Sequence, residues 1–323
     1  MKKRLIQNRT TKGDSILQAL PLACADEKAA VEFMEAQRWG SDACCPRCGS
    51  VNVYQMKDRV TGERQANYRW LCKDCRKAKL KHQFTVRTGT VFEDSKAELR
   101  HWCFAFWRAS TSKKGVSALE IHRQTGLSYK TCLFMLNRIR FAMADSGPSI
   151  LGPVSGIVEA DETFVGGKLR RYTLAKRATY KPKTIVAAVL ERDGAVRTRI
   201  IPGVTSENVR EFITDNVSLG ARLMTDESYA YYPVGKQMRS HETVRHSDLE
   251  YARGDVTTNT IEGFFAIVKR GLNGIYHSVS KEHLHRYMAE FEFRYTHREL
   301  EDGPRAVAAI KAAQGKRLMY RAS

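Results

Sequence analysis

Two Cys-x-x-Cys pairs constrain this chain more than any other feature in it. Cys45-Pro-Arg-Cys48 and Cys72-Lys-Asp-Cys75 are separated by the 23 residues 49–71, room for a β-hairpin between two knuckles. Four thiolates at that spacing close a tetrahedral shell around one Zn2+, and Gly49 suits the tight turn after the first knuckle. A shell of four sulfurs leaves no position for water, so the expected metal is structural. Cys44 is a spare neighbour that could replace Cys45 in the shell. The bland alternative, four reduced thiols and no metal, asks this spacing to arise by chance. Of the eight cysteines in the 323 residues, half sit in these pairs, which suits metal thiolates better than a disulfide framework.

The partner must accommodate a large positive charge. Lys and Arg number 54 against 35 Asp and Glu, a formal charge of +19, with a pI near 9.7. Each phosphate neutralised by Lys or Arg releases condensed counterions, so such a surplus points to a polyanion. Nucleic acid is the first choice. An acidic membrane surface is set aside, since no apolar run approaches the roughly 20 residues needed to span a bilayer. Met1 to Arg4 with Ile16-Leu17 and Ala23-Cys24-Ala25 imitates a secretory signal. The polar residues 10–15, Gln18 and Pro21 interrupt its apolar part, and a cytoplasmic, nucleoid-associated protein is expected.

With 42% hydrophobic residues, the chain can build two or three cores. The expected divisions are an N-terminal helical segment (1–40), a zinc ribbon (41–91), a helical domain (92–150), a mixed α/β domain (151–305) and a basic C-terminal tail (306–323). Residues 26–38 alternate apolar and charged side chains at helical spacing and end near Gly40. Residues 96–110 read as a further, aromatic helix. The turn-rich residues 145–148 and 152–153 mark the clearest boundary. Beyond it, residues 157–165, 184–191 and 195–201 read as strands, the last two joined at Asp193-Gly194 as a hairpin. A helix over 206–217 with Ser206 at its cap, strands at 222–225 and 243–246, and helices over 260–272 and 281–297 complete a helix-covered sheet.

Within the helical domain, Ser117-Ala-Leu-Glu120 has capping-box spacing, and the helix it starts ends at Gly126, where a left-handed residue is wanted. Ser128 then caps residues 129–143, with Leu133, Leu136 and Ile139 as an apolar stripe. Helix, short turn with Gly, helix is the layout of a DNA-reading helix-turn-helix, in which Tyr129, Lys130 and Thr131 face bases or phosphates. An ordinary helical hairpin has the same layout.

Three acids are placed for phosphodiester chemistry. Cleavage with two metal ions needs hard oxygen ligands converging from separate elements. Asp161 lies inside the first predicted strand of the α/β domain, where a charge costs free energy unless it is paired or binds a cation. Asp226 ends the strand over 222–225, and ligand sites in α/β sheets gather at such ends. Glu262 lies at the edge of the apolar stripe Ile261, Phe264, Phe265, Val268 and Leu272, beside Lys269. Asn259-x-x-Glu262 is also a capping-box spacing, which would make Glu262 purely structural.

Asp161, Asp226 and Glu262, with 35 residues between the last two, resemble the Asp-Asp-Glu triad of DDE transposases and retroviral integrases. More closely, VEADETFVGGK, LMTDESYAYY and NTIEGFFAIVKRGLNGIYHSVSKEHLHRYMAEFEFRYTHR, with the preceding zinc ribbon, are similar to ISXO-like insertion-sequence transposases over residues 30–305. The resemblance implies a multidomain α+β protein with a ribonuclease-H-like catalytic domain, catalytic Mg2+ or Mn2+ on Asp161, Asp226 and Glu262, and terminal inverted repeats as substrate. It further implies target DNA and a homo-oligomeric transposition complex as partners. Some relatives use Asn as third ligand, which leaves Asn259 as the alternative. Glu262 is preferred because carboxylates bind hard divalent ions better than amides do.

Residues 166–183 hold seven basic residues, no acid, and Tyr172 and Tyr180 between them. Following the Asp161 strand directly, Lys168, Arg170 and Arg171 are expected to clamp a DNA backbone, with Lys269 and Arg270 beside the site. His277, His283, His285 and His297 cluster on and before the last predicted helix. Only His277 is a candidate neighbour of the site. The competing functions are a nuclease or resolvase that never joins strands, and a regulator whose acids are structural.

Overall fold

The computed structural model describes residues 15–144, 150–153, 156–166 and 183–318, which fall into two compact units. One takes the residues up to Thr111, Ala118–Ala142 and those from Leu300 on, and the other takes Ser112–Ser117 and Met143–Glu299. Lys168, Arg170 and Arg171 lie outside the described residues.

In the first unit, α1 (Ser15–Ala25) and α2 (Glu27–Trp39) meet at Asp26, whose carboxylate caps α2 by accepting the Ala29 N–H at 2.8 Å. Gly40, at φ 62°, closes α2. Within the stretch that imitates a secretory signal, α1 is a core helix, with Leu20 and Ala23 buried. Strands β1 (Val53–Gln55), β2 (Trp70–Cys72) and β3 (Gln83–Phe84) pair antiparallel, and the short α3 (Lys73–Lys77) carries the second knuckle. Glu35 of α2 accepts hydrogen bonds from Arg64 and from the Trp70 indole, tying the helix to the ribbon.

Helices α4 (Leu99–Thr111), α5 (Ala118–Thr125) and α6 (Tyr129–Met143) follow. Gly126, at φ 71°, ends α5, and the Ser128 hydroxyl accepts the Thr131 N–H at 3.2 Å to start α6. The buried stripe of α6 is Cys132, Met135, Leu136, Ile139 and Ala142, so Leu133 stands at its edge rather than within it.

The second unit is built on five strands: β4 (Ile157–Val165), β5 (Thr184–Glu191), β6 (Val196–Ile201), β7 (Arg222–Thr225) and β8 (Ser240–Thr243). Their order is β6-β5-β4-β7-β8; β4, β5 and β6 run antiparallel to one another, while β7 and β8 run parallel to β4. Helix α7 (Ser206–Asn216) and the short α8 (Tyr232–Gly235) follow β6 and β7. A small hairpin of β9 (Ala252–Arg253) and β10 (Val256–Thr257) leads into α9 (Asn259–Gly271), and α10 (Lys281–Thr296) follows.

Alternate strand residues point to opposite faces. Val158, Ala160, Ala187 and Val189 pack with Val209, Phe212 and Ile213 of α7. Val186, Ala188 and Leu190 pack with Ile261, Phe264 and Phe265 of α9 and with Leu284, Met288 and Phe291 of α10. With both faces covered, β5 reads as a nearly continuous apolar run.

Three expectations are corrected. The cap of α7 is Thr205, whose hydroxyl accepts the Asn208 N–H, one residue before Ser206. The last strand is β8 at Ser240–Thr243, not 243–246, because its half-buried pattern lacks the alternation that marks a strand in sequence. The basic tail begins as a helix, α11 (Asp302–Lys311), which buries Ala306, Val307, Ala309 and Ile310 and packs against α4 and α2. Among the described residues, no helix is long and apolar enough to cross a membrane.

Candidate active site and metal centre

The four paired cysteines converge. Their sulfur atoms all lie within 4.8 Å of one another, with Cys45 and Cys75 3.8 Å apart and Cys48 and Cys72 3.7 Å apart. A tetrahedron of metal–thiolate bonds about 2.3 Å long has edges of roughly 3.8 Å, so the set fits one tetrahedral ion. Gly49, at φ 73°, makes the expected turn and donates to the Cys45 carbonyl. Cys44 is not in the group, which decides between the two neighbours for Cys45. Trp39, Trp70 and Phe84 pack edge-on or stacked against one another beside the buried thiols.

Two of the acids come level where β7 ends beside β4. In the parallel pairing of β4 with β7, Ile157 matches Arg222 and Glu159 matches Met224, an offset of 65 residues (222 − 157). Carried on by two residues, the same offset brings Asp226, the first residue after β7, level with Asp161 (226 − 161 = 65). The Asp226 carboxylate accepts the Ser228 N–H at 3.0 Å, and Asp161 accepts the Glu162 N–H at 2.7 Å.

Burial, then the charges of Glu162, Asp226 and Glu262, push the Asp161 carboxyl up to about 7. Glu162, on the opposite side of β4, is also raised by burial and by Asp226, although the Tyr231 hydroxyl donates to it at 2.6 Å. Tyr231 is buried and its phenol is held well above its ordinary value, so it stays a donor. A crowd of carboxylates in a chain of net charge +19 is an electrostatic call for a cation.

Glu262 stands on the first turn of α9, largely exposed. Its carboxylate accepts the Thr258 hydroxyl at 2.9 Å and lies 3.5 Å from His246 Nε2. The helix begins one residue earlier than a capping box requires: Thr258 is the N-cap, so Glu262 is not the third residue of the turn. The capping-box reading of Glu262 therefore fails. Asn259 is exposed and its N–H donates to the Thr257 hydroxyl. Among the described residues, only the cysteines bring three or more ligand atoms within 4.8 Å. Asp161, Asp226 and Glu262 form no such group, although the charges of Asp226 and Glu262 both act on Asp161.

Lys269 and Arg270 are exposed on the last turn of α9, and Tyr129 and Lys130 are exposed at the start of α6 with Thr131 half-buried beside them. His277 is corrected. It follows the end of α9, at least roughly 13 Å along the helix axis from Glu262 at 1.5 Å per residue, so it does not stand beside that acid. Sequence reasoning missed His246, Tyr231 and Glu159. Glu159 is an acid inside an apolar strand, and that signal was legible beside Asp161.

The ISXO2-like transposase domain matches residues 153–296, and the transposase zinc-ribbon domain matches residues 25–78. The chain is also 29% identical over 282 residues to an uncharacterized protein in transposable element ISH50 of Halobacterium salinarum. That match covers 83% of this chain and 90% of the relative.

Proposed function

Because the chain belongs to the ISXO2-like transposases that carry a transposase zinc ribbon, we propose that it binds the terminal inverted repeats of an insertion sequence, cleaves DNA there and joins the freed ends to target DNA. The catalytic domain is read as ribonuclease-H-like: three antiparallel strands extended by two strands parallel to the first, with helices on both faces. Asp161, Asp226 and Glu262 are the catalytic carboxylates and hold Mg2+ or Mn2+. The observation that supports this reading is the β4–β7 register, which, carried two residues past its last pair, brings Asp226 level with Asp161, a carboxyl raised to about 7 by burial and its acidic neighbours.

The donor set suits hard divalent ions, since every candidate ligand is a carboxylate oxygen. When bound, two such ions polarise the scissile phosphate, activate the attacking oxygen and stabilise the leaving one. The protein's own residues supply the rest. Asp161 offers oxygens from β4 and Asp226 from the residue after β7, and their backbone hydrogen bonds orient them before any ion arrives. Thr258 and His246 orient Glu262. The Tyr231 hydroxyl holds Glu162, which adds negative charge behind Asp161. Lys269 and Arg270 take phosphates next to the site.

Sequence reading falls to the first unit. Four thiolates at Cys45, Cys48, Cys72 and Cys75 hold a structural Zn2+ with no open position, and the α5–α6 pair acts as a helix-turn-helix. Tyr129, Lys130 and Thr131 meet DNA at the start of α6, and Lys168, Arg170 and Arg171 contact the backbone after β4. The working complex is a homo-oligomer in the cytoplasm.

The test uses the full chain with DNA from the repeats flanking its coding region and Mg2+ or Mn2+. Cleaved and joined products are expected from the wild type, and neither from Asp226→Asn. Cleavage without joining points to a nuclease or resolvase, and binding without chemistry points to a regulator.

A further inference from the structure

We propose that Glu159 is a positioning residue for the third carboxylate: it caps α9 from within β4 and thereby fixes Glu262 relative to Asp161. The proposal rests on the reading of Asp161, Asp226 and Glu262 as the metal-binding acids.

Glu159 is completely buried, and it lies two residues before Asp161 on the same face of β4. Its sequence neighbours Val158 and Ala160 are apolar and equally buried. A carboxylate taken out of water costs free energy unless it is paired and fully hydrogen-bonded, so a position selected for packing alone would be apolar too. Here both oxygens are used. Oε2 accepts the backbone N–H groups of Thr260 and Ile261, each at 2.9 Å. Oε1 accepts the Thr260 hydroxyl at 2.9 Å and Arg192 Nε at 2.6 Å.

Those N–H groups belong to the first turn of α9, where a helix has donors with no partner of its own. The residue that would ordinarily supply the cap, Thr258, makes no side-chain cap bond. Glu159 takes that role from 101 residues upstream, and its negative charge sits at the positive end of the helix dipole. Arg192, just past β5, gives its other two nitrogens to the carbonyls of Asp255 at 2.7 Å and Thr257 at 2.9 Å. The approach to α9 is thus held by the same pair. Glu262 follows Ile261 directly, so a slide or rotation of α9 that moved its carboxylate would break the bonds to Glu159 first.

Charge and shape are both needed. Glu159→Gln keeps the volume but turns one acceptor into a donor, which must face either the helix N–H groups or the guanidinium. The experiment measures Mn2+ binding to the full, zinc-loaded chain by electron paramagnetic resonance, together with amide exchange at Thr260 and Ile261. In the wild type both amides are expected to be protected. In Glu159→Gln, Mn2+ should bind about tenfold more weakly or worse, the size typical of losing a group that orients a metal ligand. Exchange at both amides should rise while the zinc content stays the same. An unchanged Mn2+ affinity overturns the proposal, even if the variant melts at a lower temperature. So do wild-type amides that exchange as exposed ones do, whatever the variant does. Should Glu159→Gln not fold, Thr260→Val removes only the hydroxyl contact; weaker Mn2+ binding supports the proposal and equal binding overturns it. A wild-type chain that binds no Mn2+ while both amides stay protected overturns the metal-site reading itself, and this proposal with it.

Discussion

On the reading of Asp161 as a metal ligand, cation binding is coupled to pH. Burial and the acids around it raise its carboxyl to about 7, against an ordinary value near 3.9. Below that pH it holds a proton that a cation must displace. Mn2+ affinity should therefore fall about tenfold per pH unit below about 7 and level off above it. Asp161→Asn should abolish this slope, and a titration at several pH values checks both. The sign for folding is the reverse of the usual carboxylate case. An acid raised in the folded state binds its proton more tightly there, so without a divalent ion stability falls as pH rises from about 4 towards 7. At the other centre, Cys72→Ser should remove the zinc and unfold the ribbon, whereas Cys44→Ser should retain both, because only Cys72 belongs to the converging set. Zinc content and far-ultraviolet circular dichroism distinguish the two. The cysteine spacing made this centre readable residue by residue, since four ligands in two short pairs need little help from the fold. The acids needed more. A charge inside an apolar strand drew the eye to Asp161, but the same argument applied with greater force to the fully buried Glu159.

Helix α6 begins with side chains that the fold does not need. Tyr129 is 49% exposed and Lys130 is exposed, so replacing either by Ala should leave the melting temperature nearly unchanged. On the reading of α5 and α6 as a helix-turn-helix, Lys130→Ala should weaken DNA binding and reduce its salt slope by about 1, as expected for one lost phosphate contact. A salt titration of binding checks this, and an unchanged slope places Lys130 away from the DNA. Elements with a clear period or punctuation were legible: β4 and β5 occupy the residues expected of them, and Gly126 and Ser128 end and start helices as their chemistry requires. Elements defined by tertiary contact were not. The four residues of β8 are all half-buried and show no alternation. Helix α11 reads as part of a basic tail because the Lys and Arg residues from Arg305 on are conspicuous, while the small apolar residues that seat it against α4 attract no notice. The start of α9 is set by a carboxylate from another element, which no local cap signal could reveal.

At the scale of the molecule, the resemblance to insertion-sequence transposases rested on motifs spread over most of the chain, and the matches to the transposase and zinc-ribbon domains bear it out. What the linear sequence hides is which distant segments lie side by side. The pairing of β4 with β7 across 65 residues, and the return of α9 to the sheet, are what bring the Asp161, Asp226 and Glu262 segments to one place. On the proposed reading these three acids share a pair of divalent ions. Replacing Mg2+ by Fe2+ and adding ascorbate and peroxide cuts a polypeptide beside the bound metal. Cuts are expected to cluster near residues 161, 226 and 262, and excess Mg2+ should suppress them. Cuts confined to other segments, or cuts near Asp161 and Asp226 with none near Glu262, would contradict that reading.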